Sequence, residues 1–98
     1  MSESGRPGVG GRGLRRIVFY TREDCSLCET AESALAALAR PLGLMIEVQD
    51  VDADPGLVAL YGDRVPVVME GEVVLAEGRI EAAALRAAIE TAFAAAED

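Results

Sequence analysis

Apolar positions along this chain follow two periods, and the switches between them mark its elements. From Leu14 to Thr21 the segment is continuously apolar through Ile17, Val18, Phe19 and Tyr20, as in a strand covered on both faces. Leu27, Ala31, Ala34, Leu35 and Leu38 then recur at helical spacing until Pro41 and Gly43 stop the pattern, which predicts a first helix beginning at Cys25. Leu44 to Val51 returns to β character. Asp54-Pro55 offers a helix cap followed by proline at the first helical position, and Gly62 a stop, so a short second helix is expected over 55 to 61. Val65 to Met69 and Glu72 to Ala76 read as strands joined by a tight turn at Glu70-Gly71. Leu85, Ile89 and Phe93 form an i, i+4, i+8 stripe in an alanine-rich stretch, predicting a last helix from about 80 to 96.

The resulting order is βαβ-α-ββ-α. A strand, helix and strand in succession form a right-handed parallel crossover, and the terminal hairpin extends it. The expectation is an α/β fold with a four-stranded mixed sheet and helices on both faces. Residues 14 to 98 form this one domain, since 98 residues of which 51% are apolar supply a single core. Residues 1 to 13, with five glycines and Arg6 and Arg12, are expected to be a disordered tail. Its Gly8-Val9-Gly10-Gly11-Arg12-Gly13 matches a dinucleotide-binding string, but that motif must follow a strand and open a helix, whereas this one precedes a strand.

Charge narrows the partners. The net charge is −8. Arg6, Arg12, Arg15 and Arg16 against Glu3 make the first sixteen residues basic, so the remainder carries more than the whole negative excess. Such a domain repels phosphate backbones, and no nucleic-acid partner is expected. The first residues lack the apolar core of a secretory leader and no later stretch is long enough to span a bilayer, so a cytoplasmic monomer without a membrane partner is expected.

The chemistry resides in Cys25-Ser26-Leu27-Cys28, which holds both cysteines of the chain and sits where the first strand gives way to the first helix. Thiols three residues apart on a helix lie on one face, close enough to join and separate with little backbone movement. A bridge closing so small a loop removes little unfolded-state entropy, so it serves poorly as a structural staple. In a reducing compartment such a pair points to thiol exchange or metal binding. Cys25 at the helix N-terminus is the expected nucleophile, since unpaired amides and the positive end of the dipole favour its thiolate. Arg22 adds a nearby cation, while Glu23 and Asp24 oppose a further anion, so the activation expected is moderate. Cys28, one turn inside, is the expected resolving thiol.

The succession strand, C-x-x-C, helix, strand, and then Val65-Pro66 opening a hairpin resembles the thioredoxin fold, and in particular the glutaredoxin-like proteins. Tyr20-Thr21-Arg22, Cys25-Ser26-Leu27-Cys28 and Tyr61-Gly62-Asp63-Arg64-Val65-Pro66 carry the resemblance, which spans about residues 15 to 93. It implies a thiol–disulfide oxidoreductase with a cis peptide bond before Pro66, packed beside the sulfurs. It also implies a Val65 backbone offered to an extended substrate in β fashion. Arg22, Val65 and Pro66 are thus expected to meet the substrate, a disulfide-containing protein or a small thiol.

The departures from that family lie in the same segments. Ordinary glutaredoxins have Cys-Pro-Tyr-Cys and a later Gly-Gly-Ser/Cys-Asp segment that grips glutathione; here stand Ser26-Leu27 and Glu77-Gly78-Arg79-Ile80-Glu81. The Trp-Cys-Gly-Pro-Cys of thioredoxin is also absent. No bound cofactor is expected, and the reductant is glutathione or another thiol.

The rival reading is a non-catalytic thioredoxin-fold module that binds a partner protein, a metal or a shared iron–sulfur cluster through the same cysteines. Without histidine or further cysteine, one chain offers zinc only two soft ligands. Glu23 stands where the copper chaperones place methionine. Asp50, Asp52 and Asp54 imitate the opening of a calcium loop, but Pro55 takes the glycine position and Tyr61 the last glutamate position, so capping explains them better.

Overall fold

The computed structural model describes residues 15 to 96, and the tail expected over residues 1 to 13 lies outside the described residues. The elements follow in the order β1 (Arg15–Thr21), α1 (Ser26–Leu42), β2 (Leu44–Asp50), a single 3₁₀ turn (Val51–Ala53), α2 (Pro55–Tyr61), β3 (Val67–Glu70), β4 (Val73–Glu77) and α3 (Ala82–Ala96). The sheet has the order β2-β1-β3-β4, with β1 parallel to β2 and antiparallel to β3, and β3 antiparallel to β4. This is the mixed four-stranded α/β arrangement that the periodicities imply.

Alternation along the central strands divides the core into two faces. Ile17 and Phe19 of β1 and Val68 of β3 turn to one face, where Ala31, Leu35 and Leu38 of α1 meet Leu85, Ile89 and Phe93 of α3 in one buried cluster. Tyr20 and Met69 turn the other way, toward Tyr61 at the end of α2. Two long helices therefore bury one side, while seven residues of α2 cover part of the other. Ile17, Phe19, Leu35, Leu85 and Ile89 are at most 1% exposed, and burial of each such side chain contributes about 1.5–3 kcal/mol.

The structure moves several boundaries by a residue or two. β2 ends at Asp50 because Asp50 turns its carboxylate onto the Asp52 amide, starting the 3₁₀ turn at Val51. β3 begins at Val67, after Pro66, which lacks the amide a ladder needs. The turn expected at Glu70-Gly71 lies instead at Gly71-Glu72, with Gly71 at φ 60°, and Glu70 pairs with Val73. A register shift between Val68 and Met69 lets Met69 pair with Val74 and Val68 with Ala76, so β4 carries one residue more than simple alternation provides. α3 begins at Ala82 rather than 80.

The caps explain where the site's elements start and stop. The Asp54 carboxylate accepts from the Gly56 amide at 2.8 Å and Pro55 occupies the first turn of α2, as anticipated. α1 runs through Pro41 in its last turn and stops at Gly43, which has φ 66° and returns its amide to Ala39 and Arg40. Gly62 differs. Its φ of −53° is open to any residue, but a Cβ there would lie 2.6 Å from the Val58 carbonyl oxygen and 3.4 Å from Arg22 Nη1. Crowding, rather than handedness, calls for glycine at that position.

Candidate active site

β1 delivers the chain to the site. After Thr21 it passes through Arg22, Glu23 and Asp24 before α1 begins at Ser26. Asp24 sits at φ 56°, the left-handed region that L-residues with a side chain rarely occupy, and Asp is among the few that tolerate it. That sharp turn sets Cys25 as the N-cap of α1, with φ −127° and ψ 102°.

Cys25 and Cys28 are joined as a disulfide with Cα atoms 5.2 Å apart, and the Cys28 amide donates to Cys25 Sγ at 3.1 Å. One of the orphan amides of the helix N-terminus is thus directed at the outer sulfur, where it and the helix dipole favour negative charge. The two sulfurs differ in access. Cys28 is 2% exposed and belongs to the core, whereas Cys25 is half-buried at the surface.

The second side of the site comes from the loop between α2 and β3. Val67 pairs with Tyr20, so Pro66 lies across from the end of β1, where the cysteine loop departs. The Val65–Pro66 peptide is cis and Pro66 is buried. Val65 is half-buried, but its amide already donates to the Tyr61 carbonyl oxygen at 3.0 Å. The Pro66 carbonyl accepts from the Gly78 amide at 2.9 Å, which ties this loop to the end of β4.

Arg22 joins the two sides. Its Nε and Nη2 donate to the two carboxylate oxygens of Asp52, at 3.2 and 2.6 Å, and its Nη1 donates to the Gly62 carbonyl oxygen at 3.0 Å. Hydrogen bonds from Arg22 to Asp52, and then their mutual attraction, hold the guanidinium pKa above its ordinary value. Arg22, expected at the substrate, therefore directs three of its donors at the protein itself. Arg64 pairs with Glu77 at 2.7 Å and lies 5.4 Å from the Tyr61 ring centre.

One hollow reaches the cysteine pair and another lies along α1 from Leu27. The first, of about 410 Å³, is lined by Arg22, Glu23, Asp24, Glu29, Glu32 and Asp50 together with Thr21 and Cys28. The second, of about 380 Å³, lies between Leu27 and Thr30 of α1 and the Arg79-Ile80-Glu81-Ala82 approach to α3. Sequence reasoning placed Arg22, Glu23 and Asp24 beside Cys25, but not Asp50 in the first hollow or residues 79–82 in the second, because residues so far apart meet only through the fold. Among the described residues no group of three or more Cys, Asp or Glu side chains is arranged to hold a metal ion, and no helix is long and apolar enough to cross a membrane.

A four-stranded mixed sheet with a cysteine pair at the start of α1 and a proline opening β3 defines a thioredoxin-fold protein of the glutaredoxin-like class. Residues 16–90 match the Glutaredoxin-like domain (DUF836), and the chain belongs to that family. The X-ray structure of protein XcR50 from X. campestris is 30% identical, with a TM-score of 0.66 over 76% of this chain and 96% of that one. Protein Ne2328 from Nitrosomonas europaea is 29% identical, with a TM-score of 0.61 over 89% and 96% of the two chains. A glutaredoxin from Brucella melitensis, 23% identical over 84% of this chain and 86% of that one with a TM-score of 0.53, shares the fold. Uncharacterized protein Rv0508 of Mycobacterium tuberculosis (strain ATCC 25618 / H37Rv) is 37% identical over 59 residues, which span 55% of this chain and 61% of that protein.

Proposed function

We propose that this protein is a thiol–disulfide oxidoreductase in which Cys25 attacks and Cys28 resolves. The observation that carries the reading is the asymmetry of the pair: Cys25 Sγ caps α1 and accepts the Cys28 amide at the surface, while Cys28 is buried behind it. In the reduced protein the Cys25 thiolate attacks one sulfur of a substrate disulfide. The substrate S–S bond breaks, a mixed disulfide forms, and the first substrate sulfur leaves as a thiolate that takes a proton from water. Cys28, giving its proton to solvent, attacks Cys25 Sγ. The Cys25–Cys28 bond forms, the second substrate thiol departs, and two electrons have passed to the substrate. An external thiol, glutathione or another, returns the pair to the dithiol by two exchanges in the opposite sense.

The substrate in this reading is a disulfide-containing protein or a small disulfide, met by the protein as a monomer in the cytoplasm, where the pair is kept in turnover by cellular thiols. Val65 and Pro66 line its path. Because the Val65 amide is given to Tyr61, β-type pairing with an extended substrate falls to the Val65 carbonyl.

Serine variants test the reading. Wild-type protein is expected to reduce a peptide disulfide with multiple turnovers in the presence of excess thiol. Cys25→Ser is expected to abolish this, while Cys28→Ser accumulates a mixed disulfide visible by intact mass. If Cys25→Ser retains turnover, or wild type exchanges with no disulfide offered, the reading fails and the binding module takes its place.

A further inference from the structure

Arg22 occupies the middle of the site, yet the structure spends its guanidinium on the protein. Three segments that are remote in sequence converge on it: its own loop, three residues before Cys25; the 3₁₀ turn through Asp52; and the end of α2 at Gly62. The contact with Asp52 is two-pronged, which fixes orientation as well as distance. The contact with Gly62 is close enough that a Cβ there would meet both the Val58 carbonyl oxygen and the guanidinium.

Gly62 leads directly into the substrate side of the site. The Tyr61 carbonyl oxygen accepts both the Arg64 amide at 2.8 Å and the Val65 amide at 3.0 Å, so a tight turn transmits the position of residues 61 and 62 to Val65. Holding Gly62 against Arg22 therefore sets how far the Val65 backbone stands from the cysteine loop. Asp52 is braced in turn, its amide bound by the Asp50 carboxylate at 3.0 Å.

We infer that Arg22 is a positioning residue that straps the Tyr61–Pro66 loop to the cysteine loop through Asp52 and the Gly62 carbonyl, and so favours disulfides carried on an extended chain over small ones. The inference rests on the oxidoreductase reading for its substrate consequence. An extended chain needs both the sulfur and the Val65 backbone in register, whereas a small disulfide needs the sulfur alone. Lysine cannot replace this arginine, because a single ammonium lacks the planar fork that reaches Asp52 and Gly62 together.

Two measurements on the full chain test it. In the first, turnover of a disulfide-linked peptide and of hydroxyethyl disulfide is followed with excess dithiothreitol for wild type, Arg22→Met, Arg22→Lys and Asp52→Asn. All three variants are expected to raise KM for the peptide by about fivefold or more, and to lower kcat/KM for the peptide at least about threefold further than kcat/KM for hydroxyethyl disulfide, since loss of the Arg22 charge near Cys25 acts on both substrates alike. Equal losses on both substrates, rescue by lysine, or no change on the peptide would overturn the inference.

The second measurement needs no turnover. Amide hydrogen exchange at Val65 is expected to accelerate in Arg22→Met and Asp52→Asn while exchange in β1 and α1 stays as in wild type. Unchanged exchange at Val65 removes the strap even if catalysis is altered. A wild type inactive on both disulfides defeats the oxidoreductase reading and the selection claimed from it, while Val65 exchange still decides whether the strap exists.

Discussion

Tyr20, near the end of β1, stacks on Tyr61, the last residue of α2, with ring centroids 4.2 Å apart and planes inclined by 19°. The stack lies beside the Arg22–Gly62 contact, two residues further along one chain segment and one along the other, so a ring stack and a hydrogen bond to a backbone carbonyl join the same two segments. Tyr61 also donates its hydroxyl to Met69 Sδ at 3.4 Å, which anchors the short α2 to β3. Tyr61→Ala removes the stack and the anchor together and is expected to destabilise the protein by about 2–4 kcal/mol, of which the pairing itself supplies about 0.5–1.5 kcal/mol. A urea titration reads this as a lower midpoint with an unchanged slope. Tyr61→Phe keeps the ring contact and should lose much less.

The same stack makes stability sensitive to alkali. The Tyr20 pKa is raised above 10.0, first by burial, then by the charge and hydroxyl of Tyr61 and by the Glu47 carboxylate. For an acid with a raised folded pKa the neutral form is the one the fold favours. Its contribution is complete below the unfolded value near 10.0 and is lost as pH rises through the higher folded value. Unfolding midpoints of wild type should therefore fall on passing above pH 10, and Tyr20→Phe should fall less over that interval. A wild type and variant that decline in parallel would contradict the assignment.

Leu35 is 1% exposed at the centre of the cluster joining α1, α3 and the sheet. Leu35→Ala is expected to cost about 2–5 kcal/mol, since the surrounding helices can close only part of the space it leaves. Leu60, at 60% exposed on α2, provides the contrast. Leu60→Ala should change stability by no more than about 0.5 kcal/mol, as measured by the same titration.

The fold was legible where its signal was local. The helical stripe Leu27, Ala31, Ala34, Leu35 and Leu38 and the apolar run Ile17 to Tyr20 each encode one element within one segment, and both lie where expected. Asp54-Pro55 marked the start of α2 for the same reason. The register of β4 was not legible, because the irregularity after Val68 is decided by how β4 lies on β3 and not by either strand alone. At the site, the cysteine pair and Pro66 could be named from sequence. The ties Arg22–Asp52, Arg64–Glu77 and Tyr20–Tyr61 could not, since their members are brought together only when β1, the 3₁₀ turn, α2 and β4 have packed. Gly62 does stop α2 as its position in the sequence implies, while the reason that the stop is a glycine, the crowding by the Val58 carbonyl and Arg22, emerges only from the packing.

Asp24 carries the backbone turn that places Cys25, at φ 56°. A β-branched residue is poorly suited to this region, so Asp24→Val is expected to cost about 1–3 kcal/mol and to disturb the Cys25 cap. Asp24→Asn keeps a side chain that tolerates the conformation and should be close to wild type in stability. Asp24→Gly relieves the turn but frees the unfolded chain, so its net change should be smaller than that of valine. Chemical denaturation of the oxidised proteins compares the three, and valine no more costly than asparagine would show that the turn adapts.

Charge around the cysteine pair should govern which small thiols reduce it. The hollow that reaches Cys28 is lined by the carboxylates of Glu23, Asp24, Glu29, Glu32 and Asp50, and the guanidinium of Arg22, which stands among them, is already bound to Asp52 and Gly62. A thiolate bearing a second negative charge must approach several like charges, each costing about 0.5 kcal/mol at 8 Å in water and more near the protein surface. After correction for thiol acidity, cysteamine is therefore expected to open the Cys25–Cys28 bond about tenfold faster than mercaptoacetate at low salt. The ratio should shrink as ionic strength passes about 0.1 M, where the screening length falls to about 10 Å. Glu23→Gln and Glu32→Gln should each narrow it by speeding mercaptoacetate more than cysteamine. A ratio near one at low salt would mean that the carboxylates do not face the path of the incoming sulfur, and the hollow would then be a solvated face rather than part of the approach to the disulfide.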